Sequence, residues 1–398
     1  MLLGGFKREK ILITNFEEMK AKTIKGKSTE EISAALTESM ADGFQPTLAL
    51  VFISVKQDIA SIISILDKKN IQIFGATSSG EISDSDISHE GISVLLLDID
   101  PANFRILYDD YTDREVAEVA KTMTEQALTI FSRPAFLLSN SIEKPQDIGL
   151  GEKILNSITH VAGNDVTIWG GGAGDDLIFK ETFVFNNTNI SNQGILMLVL
   201  NEDKIVVKGQ AASGMKPMGT EKVITKSEGS WILEIDNQPA TDLVTKYMGE
   251  SLSPEDFKDF NLKNIFLNLL REDSSSIIRS TLGFNMDTKG ITVSGKIKPG
   301  DKFRFTFLPD FDVLTEVSED AKQFQQTEMP EADALVMFSC IGRIDAFGPM
   351  TSEELQGIQS VYKVPMAGFF SYGEYGRATG GNNEFHNMTC CWVALKEK

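Results

Sequence analysis

The chain has 398 residues, with 57 Asp and Glu against 38 Lys and Arg, and a formal net charge of −19. This balance argues against nucleic acid or an anionic membrane surface as a partner, since both repel a strongly acidic protein. No apolar run approaches the roughly 20 residues of a membrane span, and the length favours two domains over one.

Residues 1–27 read as a mixed, Lys-rich leader. Met1–Phe6 lacks a long apolar core and runs at once into Lys7, Arg8 and Lys10, which makes a poor signal peptide. Ser28 and Glu31 form a capping-box pattern, and the helix they open ends near Gly43. A strand over 47–54, a helix lined by Ile59, Ile62, Ile63 and Leu66, and a second strand from Ile71 follow, and Ile92–Leu97 returns. A helix with Val116, Val119, Ala120, Met123 and Ala127 on one face precedes the next strand, over 134–140. Then come a helix lined by Ile154, Leu155, Ile158 and Val161, a strand from Val166, and a return strand over Gly194–Leu200. Lys204–Ala211 alternates like a further strand.

Ser213–Gly219 is loop chemistry and marks the expected boundary, giving domains over 28–217 and 218–398. Beyond it we expect two short strands between Ile224 and Ile235 and a helix with Pro239 at its first position. Strands are expected at Ile265–Leu270, Ile277–Phe284, Gly290–Ser294 and Lys302–Phe307. A helix carrying Val313, Val317, Ala321 and Phe324 leads to a strand over 333–340. A helix over Thr351–Tyr362, capped by Thr351 and Glu354, then a strand from Val364 and a last strand over Met388–Leu395 complete the chain. The expected fold class is α+β, with two domains of mixed β-sheets flanked by helices.

One pattern recurs. Strand, helix and strand run into a glycine-flanked polar turn closed by an acid: Gly75–Glu81, Gly170–Asp175 and Gly368–Glu374. The first and third share G-x4-G-E; the second is one residue shorter. Glycine permits close approach to the backbone, and turn N–H groups can form an anion-binding concavity. The bland alternative is a tight strand exit whose acid bonds its own loop. The three cysteines, Cys340, Cys390 and Cys391, make no disulfide framework. On a strand, Cys390 and Cys391 would face opposite sides of the sheet. A cytoplasmic protein is expected.

Phe74–Ile82 resembles the G-C-T-T-A-G-E-I signature of FIST N domains, with Ala76 in the usual cysteine position. Asp236–Ala240 resembles the opening of FIST C domains. Phe338–Arg343, Pro365–Glu374 and Phe385–Thr389 are similar to that family's F-x-C-x-G-R, P-x-x-G-F-Y-x-x-G-E and h-N-x-T blocks. The resemblance implies a sensory module for a small ligand such as an amino acid, and some FIST proteins bind haem and sense nitric oxide. No output domain follows the FIST C pattern, so signalling is expected to pass through a separate protein.

Candidate ligand-binding residues cluster in the last quarter: Cys340, Arg343, Ser371, Tyr372, Glu374, His386 and Asn387, with Thr389 beside them. Arg343 offers a bidentate fork for a carboxylate, Glu374 an acid for an ammonium, and Asn387 a polar edge. The plain alternative is an Arg343–Glu374 ion pair that closes the fold. In the first domain, Thr77, Ser78 and Glu81 are expected to meet Asp175 across adjacent corners. No catalytic residue, metal or cofactor is expected. Two alternatives are an enzyme using a Cys340–His386 pair and a haem-based sensor ligated by His89, His160 or His386.

Overall fold

The computed structural model describes residues 19–142, 149–248, 265–271, 276–306, 312–378 and 380–398. Most of the leader and Phe307 therefore lie outside the described residues. The apolar runs build three six-stranded sheets and a seven-stranded sheet closed into a small barrel. Closure comes from Pro217–Glu228, which pairs with Lys302–Thr306 on one side and Trp231–Ile235 on the other. The fold is α+β, with two domains and mixed sheets, as the spacing predicts.

The three six-stranded sheets follow one plan. Each unit begins with an edge strand and a helix, then a first strand, a crossover helix and a second strand parallel to the first. A turn and a short hairpin follow, and a return strand inserts between edge strand and first strand. Unit one uses Lys20–Gly26, Leu48–Ser54, Gln72–Ser78 and Ile92–Asp98 as edge, first, second and return strands. Unit two uses Phe104–Asp110, Pro134–Asn140, Thr167–Gly172 and Gly194–Asn201. Unit three uses Ile205–Ala212, Ala334–Cys340, Met366–Ser371 and Cys390–Glu397. The repeated units expected from the Gly-acid turns are thus real, and every second strand lies inside its sheet.

The hairpins do not stay with their own sheets. The hairpin after Glu81 pairs with Met366–Ser371 of unit three, where Glu81 faces Phe369. Val184–Phe185, after the second turn, pairs with Gln72–Ser78 of unit one. Glu374–Arg377, after the third turn, pairs with Thr167–Gly172 of unit two. Each unit lends two short strands to another, and the loans close a ring. Two glycines show how tight these corners are. A Cβ on Gly170 would lie 2.0 Å from the Leu138 carbonyl oxygen, and one on Gly368 would lie 2.0 Å from that of Met337.

Several features depart from expectation. Lys20–Gly26, placed in the leader, is a strand paired with Ile92–Asp98. Phe104–Asp110 and the three hairpins carry too few residues or too mixed a pattern to stand out. The barrel, Pro217 to Thr306, interrupts unit three between its edge strand and the helix Asp312–Thr327. The helix Thr351–Tyr362 has no side-chain N-cap bond; Thr351 lies inside its first turn, and Glu354 is committed elsewhere. Cys391 and Cys390 do face opposite sides, in different cores.

Candidate functional site

The three turns interlock at one place. The N–H of Gly174 donates to the Thr77 carbonyl at 2.8 Å, that of Ser79 to Phe370 at 3.0 Å, and that of Tyr372 to Gly172 at 3.0 Å. Each turn is therefore tied to the end of a neighbouring unit's second strand. The acids are bonded inside these corners. In unit one the Ser78 hydroxyl donates to Glu81 at 2.6 Å, and the other Glu81 oxygen accepts from Ser88 at 2.8 Å and from the Gly91 N–H at 2.9 Å. In unit three Ser371 donates to Glu374 at 2.8 Å and Thr389 donates to its other oxygen at 2.8 Å. The first and third corners match atom for atom up to the serine.

Asp175 works differently, because unit two lacks the serine. Its carboxylate accepts the N–H groups of Phe179, Lys180 and Glu181 at 3.0, 2.7 and 3.2 Å, and the Tyr372 hydroxyl at 2.6 Å. Tyr372 also stacks on Phe179, with ring centroids 5.2 Å apart. Thr77 exchanges two bonds with the backbone of Phe183. Thr77, Ser78, Glu81, Asp175 and Tyr372 thus come together across adjacent corners. Burial pushes the Glu81 carboxyl above its ordinary value.

The corner of unit three lies under the barrel. Phe266 and Ile278 of the barrel pack with Met215, Cys340 and Met388. The Ser294 hydroxyl of the barrel donates to Asn387 at 2.6 Å. Arg279 of the barrel donates to the Phe385 carbonyl at 2.8 Å and pairs with Glu152 of the unit-two crossover helix. Glu152 also accepts the Lys296 N–H at 2.8 Å. Burial pushes the Arg279 guanidinium down, and the Glu152 charge works against that shift.

Arg343 is fully buried, and its fork is taken by Glu354, not by Glu374 or an open site. One guanidinium nitrogen also donates to the carbonyls of Ser213 at 3.0 Å and Met388 at 2.7 Å. Burial pushes the Glu374 carboxyl up to about 8, although bonds from Thr389 and Ser371 favour its charge. His386 faces the Gly376 carbonyl at 3.3 Å, and burial with the nearby Arg279 charge brings it down to about 4. Among the described residues, no hydrogen bond joins Cys340 to His386. Burial, then the Glu374 charge, pushes the Cys340 thiol far up, which is the wrong direction for a nucleophile. His89 and His160 are exposed. Among the described residues, no group of three or more His, Cys, Asp or Glu side chains could hold a metal.

Glu354, Arg279 and Glu152 are polar residues that sequence reading misses. A signal existed for the two acids. Glu354 sits beside Leu355 and four residues before Ile358, and Glu152 three residues before Leu155, so both acids lie on apolar helix faces.

Three equivalent sheet units with inward-turned polar corners, one of them covered by an inserted barrel, define the class of protein. Family models for the FIST N domain and the FIST C domain match residues 47–238 and 240–377. The chain belongs to the FIST family, whose domains are associated with sensory signal transduction and are not a known catalytic family. No curated protein matches it. Among the described residues, no helix is long and apolar enough to cross a membrane.

Proposed function

We propose that this chain is a sensory protein that binds a small polar ligand, an amino acid or a similar metabolite, and signals to a separate output protein. The observation that carries this reading is the Ser294–Asn387 bond of 2.6 Å, by which the barrel occupies the polar edge of the unit-three corner. A ligand that takes Asn387, with Ser371, Glu374 and His386 around it and Cys340 at the apolar side, must displace the barrel's hydroxyl. Binding then shifts a two-state contact between barrel and sheets, which is what a sensor needs. Arg343, engaged by Glu354, positions this corner by holding the carbonyls of Met388 and Ser213. Thr77, Ser78, Glu81, Asp175 and Tyr372 hold the neighbouring turns.

The test is a thermal-shift screen of the purified chain against amino acids and small metabolites, since binding to the native state raises Tm. Two variants then carry opposite expectations. Asn387→Ala weakens the ligand by removing its partner, whereas Ser294→Ala strengthens it by freeing Asn387. If no compound raises Tm, the sensory reading fails. If one does but the two variants move its affinity together, the site lies elsewhere.

A further inference from the structure

The unit-three corner is short of available cations and rich in acceptors. Arg343 has every guanidinium nitrogen engaged, by Glu354 and by the carbonyls of Ser213 and Met388. Arg279 donates from one nitrogen to Phe385 and from another to Glu152. Its Nε sits against Gly295, where an added Cβ would lie 2.7 Å away, so that side is closed even to a methyl group. Arg271 lies 3.6 Å from Glu384, and Lys296, two residues past Ser294, is exposed to water. The acceptors are inside. The two Glu374 oxygens accept from the corner's own hydroxyls, Ser371 and Thr389, and among the described residues no cation pairs with them. Asn387 accepts from Ser294 through its amide oxygen. His386 faces the Gly376 carbonyl with Nε2, so the proton sits there and Nδ1 is left to accept.

A ligand carboxylate fits this corner badly. It would enter beside the Glu374 carboxyl with no guanidinium free to neutralise it, and a buried unpaired charge is costly. The Asn387 amide N–H groups are neutral donors and do not offset that cost. An ammonium has the opposite fit. It brings three N–H donors and no acceptor, and it meets Glu374, Asn387 and His386 as acceptors. The rest of the wall is apolar: Met215, Met388, Phe266 and Ile278 pack around Cys340, which suits a hydrocarbon body of a few carbons.

We infer that the unit-three corner takes a primary amine with a short apolar body and rejects ligands that carry a carboxylate. This rests on the sensory reading above and narrows its ligand class. Burial keeps the proton on Glu374 up to about 8. At neutral pH the incoming ammonium releases it: the carboxyl O–H bond breaks, the proton goes to the buffer, and the carboxylate formed pairs with the ammonium. The groups that face Glu374 leave it as the one that titrates. Burial pushes the thiols of Cys340 and Cys391 up. Burial opposes the Arg343 charge, but Glu354 holds it ionised. His386, brought down to about 4 by burial and the Arg279 charge, stays neutral.

The probes are two matched series, leucine with isoamylamine and isocaproate, and phenylalanine with phenethylamine and hydrocinnamate. In each, the amine is the amino acid without its carboxylate and the acid is the amino acid without its amine. Thermal shift and calorimetry on the full chain measure binding. The amine of at least one series should raise Tm, its acid should not, and the amino acid should bind about tenfold or more weakly than the amine. Calorimetry in phosphate and in Tris should show proton release at pH 6.5, and affinity should rise toward pH 8.5 as Glu374 loses its proton unaided. Glu374→Gln should weaken the amine about tenfold or more and abolish the proton release, whereas Lys296→Ala should change neither. Melts of each variant alone check that it folds, and proton release from the wild type needs no variant. An acid or amino acid that binds as tightly as its amine overturns the inference and leaves the sensory reading standing. So does a screen in which neither amine shifts Tm but an unrelated compound does. Amine binding that releases no proton, or that Glu374→Gln retains, also overturns it, because the amine then sits elsewhere on an acidic surface. If no compound of any class binds, both readings fall.

Discussion

Arg343 and Glu354 form an ion pair with both side chains fully buried. A buried pair of this kind adds little net stability, but removing one member leaves a charge in a low dielectric. Arg343→Ala should therefore cost roughly 3–5 kcal/mol, while Arg343→Met with Glu354→Leu should recover much of that loss. Urea unfolding of the three proteins measures it; a single variant as stable as wild type would mean that Glu354 finds water or another partner. Two buried groups also set a pH dependence. Glu374 holds its proton up to about 8 against an ordinary 4.5. The unfolded chain gives that proton up first, so stability falls as pH rises from about 4.5 to about 8. His386 sits at about 4 against 6.5, so stability also falls as pH drops from 6.5 toward 4. Between 4.5 and 6.5 the two groups pull in opposite directions. Glu374→Gln should flatten the alkaline fall, compared by urea unfolding at pH 6.5 and pH 8.5. Equal losses in both proteins would assign that limb to another group.

Among the elements, the long apolar strands and periodic helices were legible in the sequence, because burial on both faces or on one stripe writes itself into residue type. The hairpins were not. Val184–Phe185 and Ile190–Ser191 are two residues each, and their place depends on strands more than 100 positions away. The candidate site shows the same split. The Gly-acid turns could be read as repeated corners, but Arg343 could not be matched to Glu354, since nothing local distinguishes that acid from Glu374 as a partner. The turns also rank their glycines. At Gly368 and Gly170 an added Cβ meets main chain, whereas at Gly75 it meets the Phe185 ring at 2.2 Å, which can rotate away at some cost. Gly368→Ala and Gly170→Ala should therefore exceed the roughly 1–3 kcal/mol of ordinary overpacking, and Gly75→Ala should be milder. Melting temperatures of the three variants test the order; Gly75→Ala as the most damaging would show that the parallel strands yield more readily than the ring.

For the whole molecule, Arg279–Glu152 is a buried ion pair that holds the barrel to the sheets. Glu152→Ala strands the Arg279 charge and should loosen the barrel before it loosens the sheets. Limited trypsin digestion should then cut at Lys216, where the chain enters the barrel, while Leu48–Ser54 keeps its amide protons in hydrogen exchange. Loss of protection in both places at once would mean that barrel and sheets unfold as one unit.

The ring of lent hairpins bears on how the chain is made. During synthesis, unit one can pair its own four strands early, yet its second strand waits for Val184–Phe185. Unit two waits for Glu374–Arg377, and the hairpin after Glu81 has no strand to join until Met366–Ser371 leaves the ribosome. Every nascent chain that stops before Met366–Ser371 has emerged therefore carries unpaired strand edges, which are templates for aggregation. A premature stop just before Met366 should be as harmful as one in the middle, and a holdase chaperone is expected to stay on this chain until Glu374–Arg377 has paired.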